Sequence, residues 1–321
     1  MEALGAVYFT NSLDLNGDNY PVVAIDVHTG VVRSQSAPVS NPMSSTGYTP
    51  PVFDPVNELI YVGITQQYDS GVTSIGPGKI IALDARDLSK VVWSFNTPGF
   101  VNNALTVIGM SLIAGDLAGN LYLFDTVAAL ANPSNVAPAA QWSLPVSAGG
   151  QDVWSISEVI ANGDSYVMAV WDLTVQTVYL AQFDATTPQP GGLNLVTVFD
   201  TGQSFSLPTD LLGQLLLATP PIVQQRDADG TPLLTINVVA QVLQVRLTDG
   251  SVVNTFQLPP KDDGASAFVL GGLTLDADNS QLWFGDNYGR VSIQTCGKAT
   301  ALPGWGRRVS IAAHSSSADL P

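Results

Sequence analysis

One unit recurs along this chain, and it limits the possible folds more than any other feature. Residues 50–95 read PPVFDPVNELIYVG, a variable loop, then GKIIALDARDLSKVVWSF. Residues 104–144 read ALTVIGMSLIAGDLAGNLYLFD, a longer insertion, then AAQWSL, and residues 273–293 read LTLDADNSQLWFGDNYGRVSI. Aligned, they give one template: strand, turn, strand ending in Gly, polar loop with a second Gly, strand ending near Asp, turn, and an outer strand carrying an aromatic. The third strand of the template ends at Ile25-Asp26, Leu83-Asp84, Phe124-Asp125, Phe183-Asp184, Leu247-Thr248 and Ile293-Gln294, which makes six units. Their spacing of about 40–65 residues places the variation in loops, as repeat architectures allow.

Within each unit, short β-branched and aromatic runs are broken by Gly, Pro, Asn and Asp, the pattern of short strands and tight turns. Helical spacing is confined to Thr126–Ala131 and Asp210–Leu217, each too short to organise a fold. The chain therefore reads as all-β. Four strands per repeat describe a propeller blade, so the expected architecture is a single β-propeller of about six four-stranded blades over residues 1–314, with 315–321 as a loose tail. Apolar runs such as Gly78–Leu83 and Leu233–Ala240 fit blades buried on both faces, and Trp93, Trp142, Phe199 and Phe256 are expected as wedges between them. Because the chain opens with a second strand at Ala6–Thr10, the first blade is expected to lack its innermost strand. Arg308–Ala313 would supply it and close the ring; otherwise the chain is a piece of a longer protein.

The stretches GKIIALDARDLSKVVWSF (78–95), GDLAGNLYLFD (115–125) and LTDGSVVNTFQL (247–258) resemble the quinoprotein-like, pyrroloquinoline-quinone-type repeat. YPVVAIDVHTGVVRS (20–34) is similar through Asp26, Thr29 and Gly30, and TPPVFDPVNELIYVG (49–63) is similar to the segment preceding such a repeat in alcohol-dehydrogenase members. The resemblance implies a fold that hosts both cofactor-dependent dehydrogenases and non-catalytic scaffolds, outer-membrane assembly factors among them. It also implies a periplasmic or secreted location, although Met1–Tyr8 has no basic start of a signal peptide. Quinone-dependent members hold their cofactor between a Trp and adjacent cysteines, with calcium on Glu, Asn and Asp, and usually have eight blades. Here Cys296 is alone, and the three Glu residues, Glu2, Glu58 and Glu158, fall at the N terminus, in a hairpin turn and in a strand. No quinone cofactor is expected.

Charge narrows the partners. A net charge of −16, from 27 acidic against 11 basic residues, repels phosphate backbones and excludes nucleic acid as the main partner. No apolar run reaches the roughly 18 residues of a transmembrane helix. Most of the acids are Asp, the residue of turns, and Asp54, Asp227, Asp229, Asp249, Asp276 and Asp278 fall in hairpin loops.

The candidate sites are few. In DLNGDN (14–19), Asp14, Asn16 and Asp18 alternate around Gly17 in a pattern suited to calcium, but the distant bidentate acid of an EF-hand is missing and such clusters are also ordinary turn chemistry. RDADG (226–230) is a weaker copy. Asp116 and Asp286 share one register after the Gly that ends the second strand, with Asp172 close to it; they either form a ring on the loop face or cap the loop backbone. Trp154 and Trp171 flank one hairpin and, with Tyr68, Tyr288 and Trp305, either line a ligand face or pack between blades. His28 in the turn DVHTG and His314 in the tail offer no nucleophile–base arrangement. The expected function is a non-catalytic binding or scaffold propeller presenting its loop faces to a protein or carbohydrate partner. The alternative is an oxidoreductase resembling quinone-dependent alcohol dehydrogenases, and a glycan-active hydrolase resting on Asp abundance comes third. Oligomeric state is left open.

Overall fold

The computed structural model describes residues 2–10, 22–37, 51–65, 77–101, 105–145, 154–156, 159–162, 165–172, 177–184, 193–200, 222–226, 232–238, 241–258, 274–276, 281–285 and 291–295. Among them, strands form six separate antiparallel sheets, and the single helix is the short one expected. The chain divides into two compact units, the first over residues 1–154 and the second over most of the remainder.

The first unit holds three four-stranded sheets, each a run of consecutive strands. The first comprises β1 (Glu2–Ala3), β2 (Ala6–Thr10), β3 (Val22–Asp26) and β4 (Val32–Gln35). The second comprises β5 (Val52–Asp54), β6 (Leu59–Thr65), β7 (Gly78–Asp84) and β8 (Val91–Thr97). The third comprises β9 (Thr106–Ile108), β10 (Ser111–Gly115), β11 (Asn120–Asp125) and β12 (Ala140–Ser143), with α1 (Thr126–Ala131) between the last two. The expected strand ends at Asp26, Asp84 and Asp125 are the observed ends of β3, β7 and β11. The first sheet departs from expectation: its innermost position is taken by Glu2–Ala3, which pairs with Val7 and Ala6. The reversal is made by Leu4 and Gly5 at φ 53° and 71°. Two successive left-handed residues match the twist of a two-residue hairpin, a signal hidden because Leu rarely takes that conformation.

Alternation along β6 shows why these sheets stack. Ile60 and Val62 point to one face and join Tyr8, Val22 and Ala24 of the first sheet in a buried cluster. Leu59 and Tyr61 point to the other and join Leu112, Ala114, Tyr122 and Phe124 of the third. With a side-chain period of two, a strand apolar at every position is buried on both faces. Each such Val, Leu or Ile contributes about 1.5–3 kcal/mol. Trp93, on the outer strand β8, wedges between the second and third sheets as expected, its ring 5.5 Å from Tyr61 and 5.8 Å from Phe124. Phe95 meets the edges of Tyr122 and Phe124 at 5.4 and 5.1 Å. Helix α1 begins where Asp125, as N-cap, accepts from the backbone N–H groups of Val127 and Ala128.

The second unit is built alike. One sheet orders β13 (Trp154–Ile156), whose Trp154 still belongs to the first unit, β15 (Ser165–Asp172), β16 (Thr177–Asp184) and β17 (Asn194–Asp200), with β14 (Ile160–Asn162) also on β15, so it has five strands where four were expected. The next comprises β18 (Ile222–Arg226), β19 (Pro232–Val238), β20 (Gln241–Arg246) and β21 (Val252–Gln257). The last shows β22 (Thr274–Asp276), β23 (Gln281–Gly285) and β24 (Val291–Thr295) among the described residues. Cross-strand partners tie these sheets internally: Tyr166 opposes Phe183 with ring centroids 5.4 Å apart, and Asn254 donates to Gln244 at 2.7 Å. The expected stop at Asp184 is where β16 ends. Arg308–Ala313, the tail 315–321 and the helix-like stretch 210–217 lie outside the described residues.

Candidate functional site

Asp116 begins the loop that joins β10 to β11, one residue beyond the Gly that ends β10. The carboxylate is fully buried. Its Oδ1 accepts from the Asn120 backbone N–H at 3.0 Å and from Asn120 Nδ2 at 3.1 Å. Its Oδ2 accepts from Tyr122 Oη at 2.8 Å, from Asn120 Nδ2 at 3.1 Å and from the Gly99 backbone N–H at 3.3 Å. A carboxylate offers about four lone-pair directions, and these are taken by groups of the chain itself. Asp116 is a structural acceptor here, with no direction left for a substrate proton or a metal ion.

The same chemistry recurs in the second sheet, between β5 and β6. Buried Asp54 accepts from the N–H groups of Val56 and Asn57 at 2.8 and 3.1 Å through Oδ1. Through Oδ2 it accepts from Asn57 Nδ2 at 2.8 Å and Tyr61 Oη at 3.0 Å. Asn57 then reaches the third sheet by donating to Thr126 Oγ1 at 3.0 Å. Both sites consist of an Asp, a following Asn and a strand Tyr turned back toward the turn. The sequence reading missed Asn57, Tyr61, Asn120 and Tyr122; the order Asp, Asn, Tyr within eight residues was the available signal.

Burial, and after it the neighbouring carboxylates, pushes the phenols of Tyr61 and Tyr122 well above the usual tyrosine range. Below the unfolded tyrosine pKa of about 10 both states are neutral and the stability is fully present. Above it the unfolded chain ionises while the folded phenols stay protonated, so stability falls by about 1.4 kcal/mol per pH unit for each. Urea midpoints measured from pH 8 to pH 11.5 should therefore drop steeply above about pH 10, and Tyr61→Phe/Tyr122→Phe should show a shallower slope. Equal slopes would refute the assignment.

The loop around Asp116 is closed by backbone as well. Leu117 N–H donates to Phe100 O at 3.0 Å, Leu144 N–H to Gly119 O at 2.8 Å, and Trp154 N–H to Leu117 O at 3.0 Å. Trp154 is buried and lies over Gly119, where an added Cβ would stand 2.7 Å from Trp154 Cδ1. That glycine also has φ 81°, so both backbone and space demand it. Among the other expected residues, Trp171 pairs with Val178 in β15, and Asp172 is buried at the end of that strand. Asp14, Asn16, Asp18 and Asp286 lie outside the described residues, as do Asp227, Asp229, Asp278, Tyr68, Tyr288, Cys296 and Trp305. Among the described residues no three His, Cys, Asp or Glu side chains converge on a metal position.

Less buried carboxylates also cap turns. Asp26 Oδ1 accepts from the N–H groups of Thr29 and His28 at 2.9 and 3.0 Å, which holds its carboxyl below the usual range. Ser251 does the same for Asp249 through its Oγ and N–H at 2.6 and 2.9 Å. Arg86 grips Glu58 with two bonds of 2.7 Å, which lowers the glutamate.

In the first unit four-stranded antiparallel sheets stack, with Trp93 wedged between the second and third and Asp side chains capping their turns, and the fold is that of quinoprotein-like β-propellers. The chain superposes on quinohemoprotein alcohol dehydrogenase from Comamonas testosteroni with TM-score 0.51 and 14% identity, covering 87% of this chain. It spans 50% of that enzyme's length. It is also similar to BamB from Moraxella catarrhalis, with TM-score 0.47 and 16% identity over 89% of this chain and 85% of that one. No family model and no curated protein matches the sequence. Among the described residues no helix is long and apolar enough to cross a membrane.

Proposed function

We propose that this chain is a non-catalytic binding or scaffold propeller that presents its turn and loop faces to a protein or carbohydrate partner, in an exported location. The observation that supports this reading is the occupancy of Asp116 and Asp54, whose buried oxygens are consumed by donors of the chain itself. General acid–base work and metal binding both need an oxygen within reach of something other than its own loop. The sequence adds a lone Cys296 where a quinone site of the resembled enzymes has adjacent cysteines. Calcium held by Asp14, Asn16 and Asp18 is a subsidiary part of this reading.

Titrating the purified chain with pyrroloquinoline quinone and calcium, with absorbance and dye-linked alcohol oxidation as readouts, tests the proposal. Neither quinone binding nor dye reduction is expected; either one would replace this reading by the oxidoreductase. In the calcium-only arm the melting temperature should rise by about 2–8 °C, and Asp14→Ala/Asp18→Ala should abolish the rise. No rise, or an equal rise in the variant, would dispose of the calcium site.

A further inference from the structure

We propose that the turn end of the second and third sheets is a docking surface for a cationic amphipathic segment of a partner protein. The proposal rests on the binding-protein reading above and names the surface that does the binding. Four large apolar side chains stand open there: Val56 at 59% exposure, Met110 at 59%, Val127 at 46% and Leu130 at 39%. They come from the β5–β6 turn, the β9–β10 turn and α1, and hydrogen bonds bring their backbones together. Asn57, next to Val56, donates to Thr126 Oγ1, and Thr126 in turn donates both its N–H and its Oγ1 to Met110 O, at 2.9 and 3.1 Å. Val127 and Leu130 are three apart on the helix and so share a side of it. A group of open apolar side chains on turns tied together by hydrogen bonds has the character of a binding surface.

Charge names the occupant. No Lys or Arg occurs between Lys90 and Arg226, so the third sheet and its helix carry no cation. Asp125 is exposed beside the apolar group, and α1 has no basic residue in its last turn. The Arg86 guanidinium is already committed to Glu58 of the β5–β6 turn. In a chain of net charge −16, a second acidic copy is repelled from this face, whereas a segment with an apolar stripe bordered by Lys or Arg complements it.

The test uses the full chain and two labelled helical peptides of about 18 residues, one of Leu and Lys, the other of Leu and Glu, read by fluorescence anisotropy at low and high salt. Binding of the Leu–Lys peptide in the micromolar range is expected, weakened by salt and at least about tenfold by Val127→Ser/Leu130→Ser. Val31→Ser, an exposed apolar residue of another turn, should bind as the parent does. Circular dichroism and melting confirm that each variant is folded. Equal binding by Val127→Ser/Leu130→Ser would overturn the surface while leaving the binding-protein reading intact. Absence of peptide binding would overturn it too, as would a concentration-dependent dimer in sedimentation that this variant loses. Failure of the underlying reading would appear separately, as quinone-supported dye reduction.

Discussion

Asp116→Ala is expected to lower the stability of the folded chain by about 3–5 kcal/mol, read as a fall in the urea midpoint. The removed carboxylate is buried and accepts from the N–H groups of Gly99 and Asn120, from Asn120 Nδ2 and from Tyr122 Oη, so alanine leaves four donor groups without this acceptor. Each such group costs about 1–3 kcal/mol, and a domain is worth only about 5–15 kcal/mol in all. Asp116→Asn should fall between the two proteins, because one carboxylate oxygen becomes an NH2 facing donors. Asp249→Ala is the control: it removes an exposed turn cap and should shift the midpoint little. Asp116→Ala with a midpoint like that of Asp249→Ala would mean that Asp116 is not the acceptor described here.

Trp93→Ala should cost about 3–5 kcal/mol, since the indole fills the space between Tyr61 and Phe124 where two sheets meet. Trp93→Phe should cost much less. Its Nε1 is buried and has no hydrogen-bond partner among the described residues, so phenylalanine forfeits volume but no hydrogen bond. The contrast separates packing from polarity. If Phe and Ala proved equally damaging, the wedge account would fail.

Much of the architecture was legible in advance. Period-two alternation and Asp-terminated strands located β3, β7, β11 and β16 by their ends, and the short helical spacing at Thr126–Ala131 gave α1. Those signals are local: a strand buried on both faces must be apolar throughout, and a turn must supply acceptors within two or three residues. The same locality explains what was missed. The hairpin at Leu4-Gly5 uses a leucine in a conformation that leucine does not advertise. Fifth strand β14 was unseen because Ile160–Asn162 is too short to show a period.

The role of Asp116 was undecidable from its own neighbourhood, since a carboxylate after a Gly in a loop is equally suited to face a ligand or the backbone. Its fate depends on Gly99, seventeen residues earlier, arriving at the loop, and on Tyr122 turning inward. Likewise, whether Trp154 opens to solvent or lies over Gly119 is settled by the chain's return to Leu117. The amino-acid order by itself determined the strand unit and its repetition, because burial on two faces and tight turns write themselves into consecutive residues. Which polar side chains are spent inside, and which apolar ones stand open at the turn end, was decided only when distant segments met, because hydrogen bonding and exclusion of water depend on proximity in space.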